Sequence, residues 1–438
     1  MSFHIQSTKE HLENTGGIVL AAELARISGL MQLRFPVRTW KGALLSMFGL
    51  LCMGRSAYED IATFRKDELF RSAFGLEYVP ARETLRIYLG RMARKVKDII
   101  DVLAGCNIAL LKQAAITPID IEGRRYVPVD VDVSTFDNGK SHKEGVGRTY
   151  LGTDGYAPIF SYIGTEGYML DCELRPGTQH SQKGTPDFLA RNLRMIKELG
   201  LSHPVLFRLD SGNDAIDTIR KLVGPDCFFL IKRNLRREPV EQWKEIAETL
   251  GAAHHPRSGK TVYTGTITKS HPKADADMPE FDIVFEVTVR TSDRRGDDFL
   301  VPDVEVETWW TNLFESPQAI IDLYHDHGTS EQFHSELKSD MDVERLPSGS
   351  MKVNGLVLTI SMLAFNTLRF IGQRALAGKE LLPAPPTVAR KRLRKVIFDL
   401  ILIGCKLVRH GRQMILRVWK GNPWLPVFDE LYAEFLSL

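Results

Sequence analysis

The segment YVPVDVDV at residues 126–133 sets the terms for the fold. Its apolar residues suit a strand buried within a sheet, yet it carries carboxylates at Asp130 and Asp132. Side chains two apart on a strand share a face, so both charges leave the sheet on the same side. In a buried strand such charges are costly unless cations or a metal meet them. Two further strands follow at hairpin spacing, 156–164 (YAPIFSYIG) and 169–175 (MLDCELR). A helix at 186–199, a strand at 204–209, a helix at 215–222 and a strand at 227–231 come next. Three meander strands followed by alternating helices and strands predict a mixed α/β sheet.

The flanks have a different texture. Residues 1–117 place apolar residues at helical spacing in four segments, 17–30, 39–53, 58–64 and 81–103. The last follows a turn at 75–80 and carries an arginine-rich outer face, which suits a helix-turn-helix recognition helix with Arg86 and Arg91 toward DNA. A plain bundle helix has the same pattern. Residues 236–301 interrupt the core with a helix at 243–250 and two alternating segments, 261–268 and 282–291, and read as a β-rich insertion. His254 and His255 fall in what reads as a solvated turn of that insertion. The core, 118–235 and 302–376, resumes with a strand at 304–312 and ends on an apolar helix at 355–376. Residues 377–438 read as a basic helical region, because 390–420 hold ten Lys or Arg against the one acid Asp399. That footprint suits a polyanion, and an amphipathic solvated helix equally.

Composition narrows the class. In 438 residues with a net charge of +2, the hydrophobic fraction of 43% and charged fraction of 26% are those of soluble globular domains. Five scattered cysteines without a Cys-x-x-Cys pair indicate neither a disulfide framework nor a zinc site. His325, His327 and His334 bring no cysteine with them, which makes zinc improbable there. The N-terminus lacks the basic and apolar regions of a signal peptide, and the apolar runs are short for a bilayer span, so a reduced, cytoplasmic protein is expected. There is no glycine-rich nucleotide fingerprint and hence no expected ATP requirement.

Two more acids matter. The strand 204–209 runs into Asp210-Ser-Gly212-Asn-Asp214, and a carboxylate at the end of an α/β strand lies where such sheets bind ligands. The stretch from Tyr324 to Lys338 reads as one helix, with Ser316 as N-cap and Pro317 at its first position. With Tyr324 as zero and about 100° per residue, His327, Glu331 and Lys338 fall at roughly 300°, 340° and 320°, while Glu336 falls at roughly 120°. Asp132, Asp210 and Glu331 are then the three acids of a two-metal phosphoryl-transfer site. Asp132 bridges both ions, Asp210 holds one and Glu331 the other, and Asp130 and Asp214 are the fallback ligands. Mg2+ is the expected ion, and Mn2+ a substitute. The loop 138–148, with Lys140, Lys143 and Arg148, is basic and glycine-rich, suits the substrate phosphates and is expected to be mobile.

These acids, the insertion before the last of them, the spacing Tyr324-x2-His327-x3-Glu331-x6-Lys338 and the phrases KEGVGRTYLGTDGYAPIFSYIG, ELRPGTQHS, RLDSGND and IKRNLR together resemble the DDE transposases of bacterial insertion sequences. The resemblance covers residues 120–375. It is to the group with a Tyr-Arg-Glu-Lys signature and a ribonuclease-H-like core. It implies that Asp132, Asp210 and Glu331 are the catalytic triad, with Tyr324 and Lys338 on the DNA backbone near the cut. It also implies binding of terminal inverted repeats, cleavage at the element ends and joining of the 3′-hydroxyl to target DNA, usually in a homodimer, in the bacterial nucleoid. His327 stands where the signature has arginine, and offers phosphate a contact that titrates near neutrality. Some relatives flip a base onto a tryptophan of the insertion, for which Trp309 and Trp310 are candidates, although buried strand positions suit them better. The rivals are a nuclease or resolvase on the same fold and a non-catalytic descendant that only occupies DNA; three retained acids speak against the last.

Overall fold

A computed structural model describes residues 3–7, 10, 12–236, 238–276, 278–411 and 413–438, with the side chains of His327 and Thr329 outside that description. The N-terminal region is helical, as its periodicity predicts: α1 (Ile18–Ile27), α2 (Arg38–Cys52), α3 (Ile61–Phe64), α4 (Glu68–Ala73), α5 (Arg82–Met92) and α6 (Val96–Leu111). The helix expected over 81–103 is two. A 3-10 turn, Ala93–Lys95, separates them where Lys95 leaves helical geometry at φ −114° and ψ 37°.

From there the chain builds its sheet with β1 (Ile119–Ile121) and β2 (Arg124–Val133). The short strands β3 (Phe136–Asp137), β4 (Gly147–Arg148) and β5 (Asp154–Tyr156) form a separate three-stranded sheet. Then come β6 (Ile159–Ile163), β7 (Tyr168–Glu173), α7 (Thr185–Leu199), β8 (Val205–Leu209), α8 (Ile216–Leu222) and β9 (Cys227–Lys232). The core order is β7-β6-β2-β8-β9, in which β6 runs antiparallel to both of its neighbours, β2 and β7, while β8 and β9 run parallel to β2. Numbered along the core alone this is 3-2-1-4-5, the mixed ribonuclease-H-like sheet expected from the sequence. The parallel pair reads as mostly apolar runs, VLFRL and CFFLIK, interrupted by Arg208 and ending in Lys232.

The insertion contributes α9 (Val240–Leu250), β10 (Ala252–Arg257), β11 (Lys260–Lys269), β12 (Phe281–Ser292) and β13 (Asp298–Thr311). These strands do not form a sheet of their own. Trp309, Trp310 and Thr311 pair with Lys232, Ile231 and Leu230, so one ten-stranded sheet runs through both parts. His254 and His255 lie in the edge strand β10 rather than in a turn. Every residue there but Arg257 is exposed, and an edge held by main-chain pairing to β11 needs no apolar face that composition would reveal.

After α10 (Pro317–His325), a 3-10 turn (Asp326–Thr329) and α11 (Ser330–Ser335), a π turn (Glu336–Asp340) leads toward α12 (Met351–Ala377). This 27-residue helix is apolar nearly all round and correspondingly buried nearly all round. The C-terminal region holds α13 (Leu393–Val396), β14 (Cys405–His410), β15 (Gln413–Val418) and α14 (Leu425–Ser437). The expectation of a wholly helical region is corrected here. Residues on either side of Gly411, which turns at φ +60°, pair in register as an antiparallel hairpin, in which Leu407 meets Leu416 and Val408 meets Ile415.

Candidate active site

The parallel register of β2 and β8 pairs Val129 with Phe207, Asp130 with Arg208 and Val131 with Leu209. The next residues on the two chains, Asp132 and Asp210, therefore follow side by side at the carboxyl ends of neighbouring parallel strands. Asp132 is half-buried; its Oδ1 accepts from the Val133 amide at 2.7 Å and its Oδ2 lies 3.2 Å from His334 Nε2. On its other side His334 Nδ1 meets the buried Tyr162 hydroxyl at 3.2 Å. Asp210 Oδ1 accepts from Asn213 Nδ2 at 2.7 Å. A Cβ on Gly212 would come within 3.2 Å of both Asp210 oxygens and 2.8 Å of Ser181 Oγ, so the turn admits only glycine without a shift.

The fallback acids are engaged elsewhere. Asp130 takes a bidentate pair from Arg208, at 2.6 and 2.8 Å, with both side chains buried, and the same guanidinium donates to the Leu323 carbonyl at 2.9 Å. Asp214 accepts from Trp310 Nε1 at 3.2 Å and from the Asn234 amide at 2.9 Å. Both brace the fold beneath the site rather than face it.

Three further groups feel the negative pair. The Tyr324 hydroxyl is pushed well up, first by burial and then by the charges of Asp210, Glu307 and Asp132. Its ring lies 5.6 Å from that of Trp309, with Lys232 Nζ 5.8 Å above it. The Tyr150 hydroxyl donates to the Val133 carbonyl at 3.2 Å and is pushed up to about 12 by burial and then by Asp132 and Asp210. Burial holds the Lys338 ammonium down, with Glu344 and Asp132 opposing, and its Nζ lies 5.7 Å over the Phe136 ring. Tyr324 and Lys338 were legible from their spacing. Tyr150 gives no sequence signal beyond its loop, and His334 invited only the question of zinc.

Glu331 departs from expectation because the helix is not uniformly α. Ser316 caps it, with its Oγ accepting from the Ala319 amide at 3.4 Å, and Pro317 follows at the first position. The 3-10 turn Asp326–Thr329 advances about 120° per residue instead of about 100°, so four residues add roughly 80°. That brings His334, not Glu331, onto the face of Tyr324, which is why the imidazole meets Asp132. The π turn Glu336–Asp340 advances less per residue and returns Lys338 to that face. Glu331 is exposed and lines a cleft of about 330 Å3 with Gln332, Ser335, Glu336, Arg390 and Arg392. Among the described residues, no three acid, histidine or cysteine side chains come close enough to hold one metal ion. Glu336 points away as expected, into a buried ion pair with Arg369. The side chain of His327 lies outside the described residues.

The basic loop is more ordered than its composition suggests, because β3, β4 and β5 hold its ends. Lys143 donates to Asn138 Oδ1 at 2.9 Å, to the Leu346 carbonyl at 2.7 Å and to the Arg345 carbonyl, so its ammonium fastens the loop instead of facing a phosphate. Lys140 and Arg148 are exposed, the latter 3.7 Å from Asp154. Loop 175–183 reaches the same end of the sheet, where Ser181 Oγ donates to the Gly212 carbonyl at 2.8 Å. Trp309 and Trp310 are fully buried and present no ring for stacking. Arg86 and Arg91 are exposed on α5, far along the chain from these acids.

Asp132 and Asp210 offer hard oxygen donors at a half-open strand end, the donor set that suits Mg2+ or Mn2+, which need few carboxylates when substrate phosphates supply further oxygens. All five cysteines are buried and free, so no soft ligand competes.

The family model described as "Transposase DDE domain group 1" matches residues 43–438. No curated protein matches the chain. Among solved structures, the chain is similar to the piggyBac transposase synaptic complex with hairpin DNA, at 10% identity and a TM-score of 0.44, covering 89% of this chain and 80% of that one.

Proposed function

Since this chain belongs to the DDE transposases, DNA-cleaving and DNA-joining enzymes that use divalent metal, we propose that Asp132 and Asp210 hold the ion and that Glu331 completes the triad. The observation that carries the proposal is the in-register juxtaposition of Asp132 and Asp210 at the ends of β2 and β8. Mg2+ fits the donors, and Mn2+ substitutes. Glu331 joins when the turn Asp326–Thr329 rewinds toward α-helical geometry and α11 rotates.

When bound, the metal neutralises developing charge and activates the attacking oxygen, water for cleavage and a 3′-hydroxyl for joining. The chain's own residues do the rest. Tyr324 stays protonated, since burial and the two carboxylates raise its hydroxyl, and donates to a phosphate oxygen, while Tyr150, raised in the same way, braces the Val133 carbonyl beside Asp132. Lys338 brings a cation beside Asp132, where partial burial strengthens its pull on a phosphate. Lys140 and Arg148 meet the backbone beside the cut, and Arg86 and Arg91 read the terminal inverted repeats. The assembly that synapses two ends and joins them to target DNA is a homodimer working in the nucleoid.

The test is cleavage of a labelled end fragment in Mg2+. Asp132→Asn and Asp210→Asn should each lower it about a thousandfold or more, with unchanged circular dichroism. Cleavage equal to that of the wild type by either variant would overturn the assignment.

A further inference from the structure

A cleft of about 770 Å3 lies in the N-terminal helices, between the first turns of α2, the loop 75–80 and Tyr88 of α5. Its wall carries Arg34, Arg38 and Lys41 against one acid, Glu77, which forms an exposed ion pair with Arg38 at 3.3 Å. Its rings are Phe35, Tyr78 and Tyr88. Tyr78 is 48% exposed, and burial and then the neighbouring Tyr88 hold its hydroxyl above the usual range. The Arg91 guanidinium sits 5.8 Å over Tyr88, so the cleft continues into the arginine-bearing face of α5.

Helix α2 adds to this. Its N-cap is Val37, which offers no side-chain acceptor, and its first turn holds no acid but does hold Arg38 and Lys41. Cations beside the positive end of a helix dipole are unfavourable, and an anion in the cleft relieves them. Gly42 faces the cleft, and a Cβ there would meet nothing within 4 Å, which leaves the floor open.

Cations around a partly exposed ring are how proteins hold unpaired nucleotides, with the backbone phosphate on the charges and the base on the ring. The volume is that of a site for one small ligand, and a duplex is too wide to enter it. We propose that this cleft is a second DNA subsite, remote in sequence from the catalytic acids, which takes one unpaired nucleotide of the bound DNA. The phosphate lies against Arg34, Arg38 and Lys41, and the base against Tyr78. The proposal rests on the chain's being a DNA transposase, and it commits α5 to delivering the strand.

The experiment uses the full chain without divalent metal, so the catalytic carboxylates are not read. Fluorescence anisotropy compares a fully paired duplex with the same duplex carrying a short unpaired thymidine tract. The wild type should prefer the second by about tenfold, the scale of one base stacked on an aromatic ring. Tyr78→Ala should erase the preference, Tyr78→Phe should keep it, and Gly42→Leu should erase it by filling the floor. A Cβ at Gly42 meets nothing within 4 Å and leucine improves helix propensity, so the melting temperature of Gly42→Leu should not fall. A wild type with no preference, or a Gly42→Leu variant that retains it, overturns the subsite while leaving the catalytic proposal intact. Failure to bind either duplex would overturn both the subsite and DNA recognition by this region, whereas the catalytic assignment stands or falls on cleavage by the Asp210→Asn variant.

Discussion

Arg208 separates Asp130 from the acids proposed to hold the metal. Asp130 and Asp132 share a strand face, and nothing in YVPVDVDV tells which of them is a ligand. The choice is made from a distance, by a guanidinium on the neighbouring strand that takes Asp130 in both arms and ties it to the Leu323 carbonyl of α10. Removing one partner of such a buried pair costs far more than the pair contributes, because the remaining charge is left in a poor solvent. Arg208→Met should lower stability by about 3–5 kcal/mol, read as a shift in the urea unfolding midpoint at unchanged slope. A shift under about 1 kcal/mol would show that water reaches Asp130 freely. Asp214 follows the same logic through Trp310 and Asn234. The sequence could name the four acids and the strand ends that carry them. It ranked Asp132 and Asp210 ahead of Asp130 and Asp214 by the resemblance, but the contacts that engage the fallback pair come from Arg208, Asn234 and Trp310, which no local pattern reveals.

At the scale of elements, the signature helix is held at both ends, and between them α11 packs through Phe333 and His334 against Tyr162. Arg208 grips the Leu323 carbonyl before the 3-10 turn. After α11, Glu336 pairs with Arg369, and Asp340 is held by Arg392 at 2.9 and 3.1 Å and by Arg394 at 3.3 Å. The overwound turn Asp326–Thr329 and the underwound turn Glu336–Asp340 roughly cancel, so total twist between the anchors is close to that of a plain α-helix. The proposed entry of Glu331 therefore has α11 rotate between fixed ends by moving twist from one turn to the other, with Phe333 and His334 repacking. Such a rotation carries His334 away from Asp132 and Glu331 toward it. His334→Ala removes the contact that holds the present arrangement, and calorimetric titration with Mn2+ should show binding at least as tight as in the wild type. Binding about 10–100-fold weaker would instead make His334 an outer partner that supports Asp132, and would sink the rotation. The spacing of Tyr324, Glu331 and Lys338 is legible because a signature is a matter of sequence. The phase was not, because counting about 100° per residue assumes one helix type, and this segment uses three.

Over the whole molecule, α12 decides how far the regions are separable. Its length and mean hydropathy of 1.5 would suit a bilayer, yet 94% of that apolar window is buried inside the fold, against α2 and α6 on one side and β7 on another. One large apolar core runs from Ile18 to Phe435, beside a smaller cluster around Trp309 and α10. The chain's two ends are also interleaved: the Gly16 and Gly17 amides donate to the carbonyls of Ile403 and Ile401 at 2.8 and 3.0 Å, and Glu13 bridges Cys405. A Cβ on Gly17 would lie 1.6 Å from the Leu400 carbonyl oxygen, so that crossing depends on a glycine. Composition divides the chain into four regions because texture changes along it, but pairing across nearly 390 residues leaves no local trace. A helix whose faces belong to different regions cannot lose one of them without exposing apolar surface to water. The full chain should therefore unfold in one cooperative step, with hydrogen-exchange protection of α2 and of β8 lost at the same denaturant concentration. A fragment beginning at residue 118 should aggregate, having bared the faces of α12 that α2 and α6 cover. Two separated transitions, or a soluble fragment with native-like exchange protection in β8, would show instead that the N-terminal helices are an independent domain resting on the catalytic core.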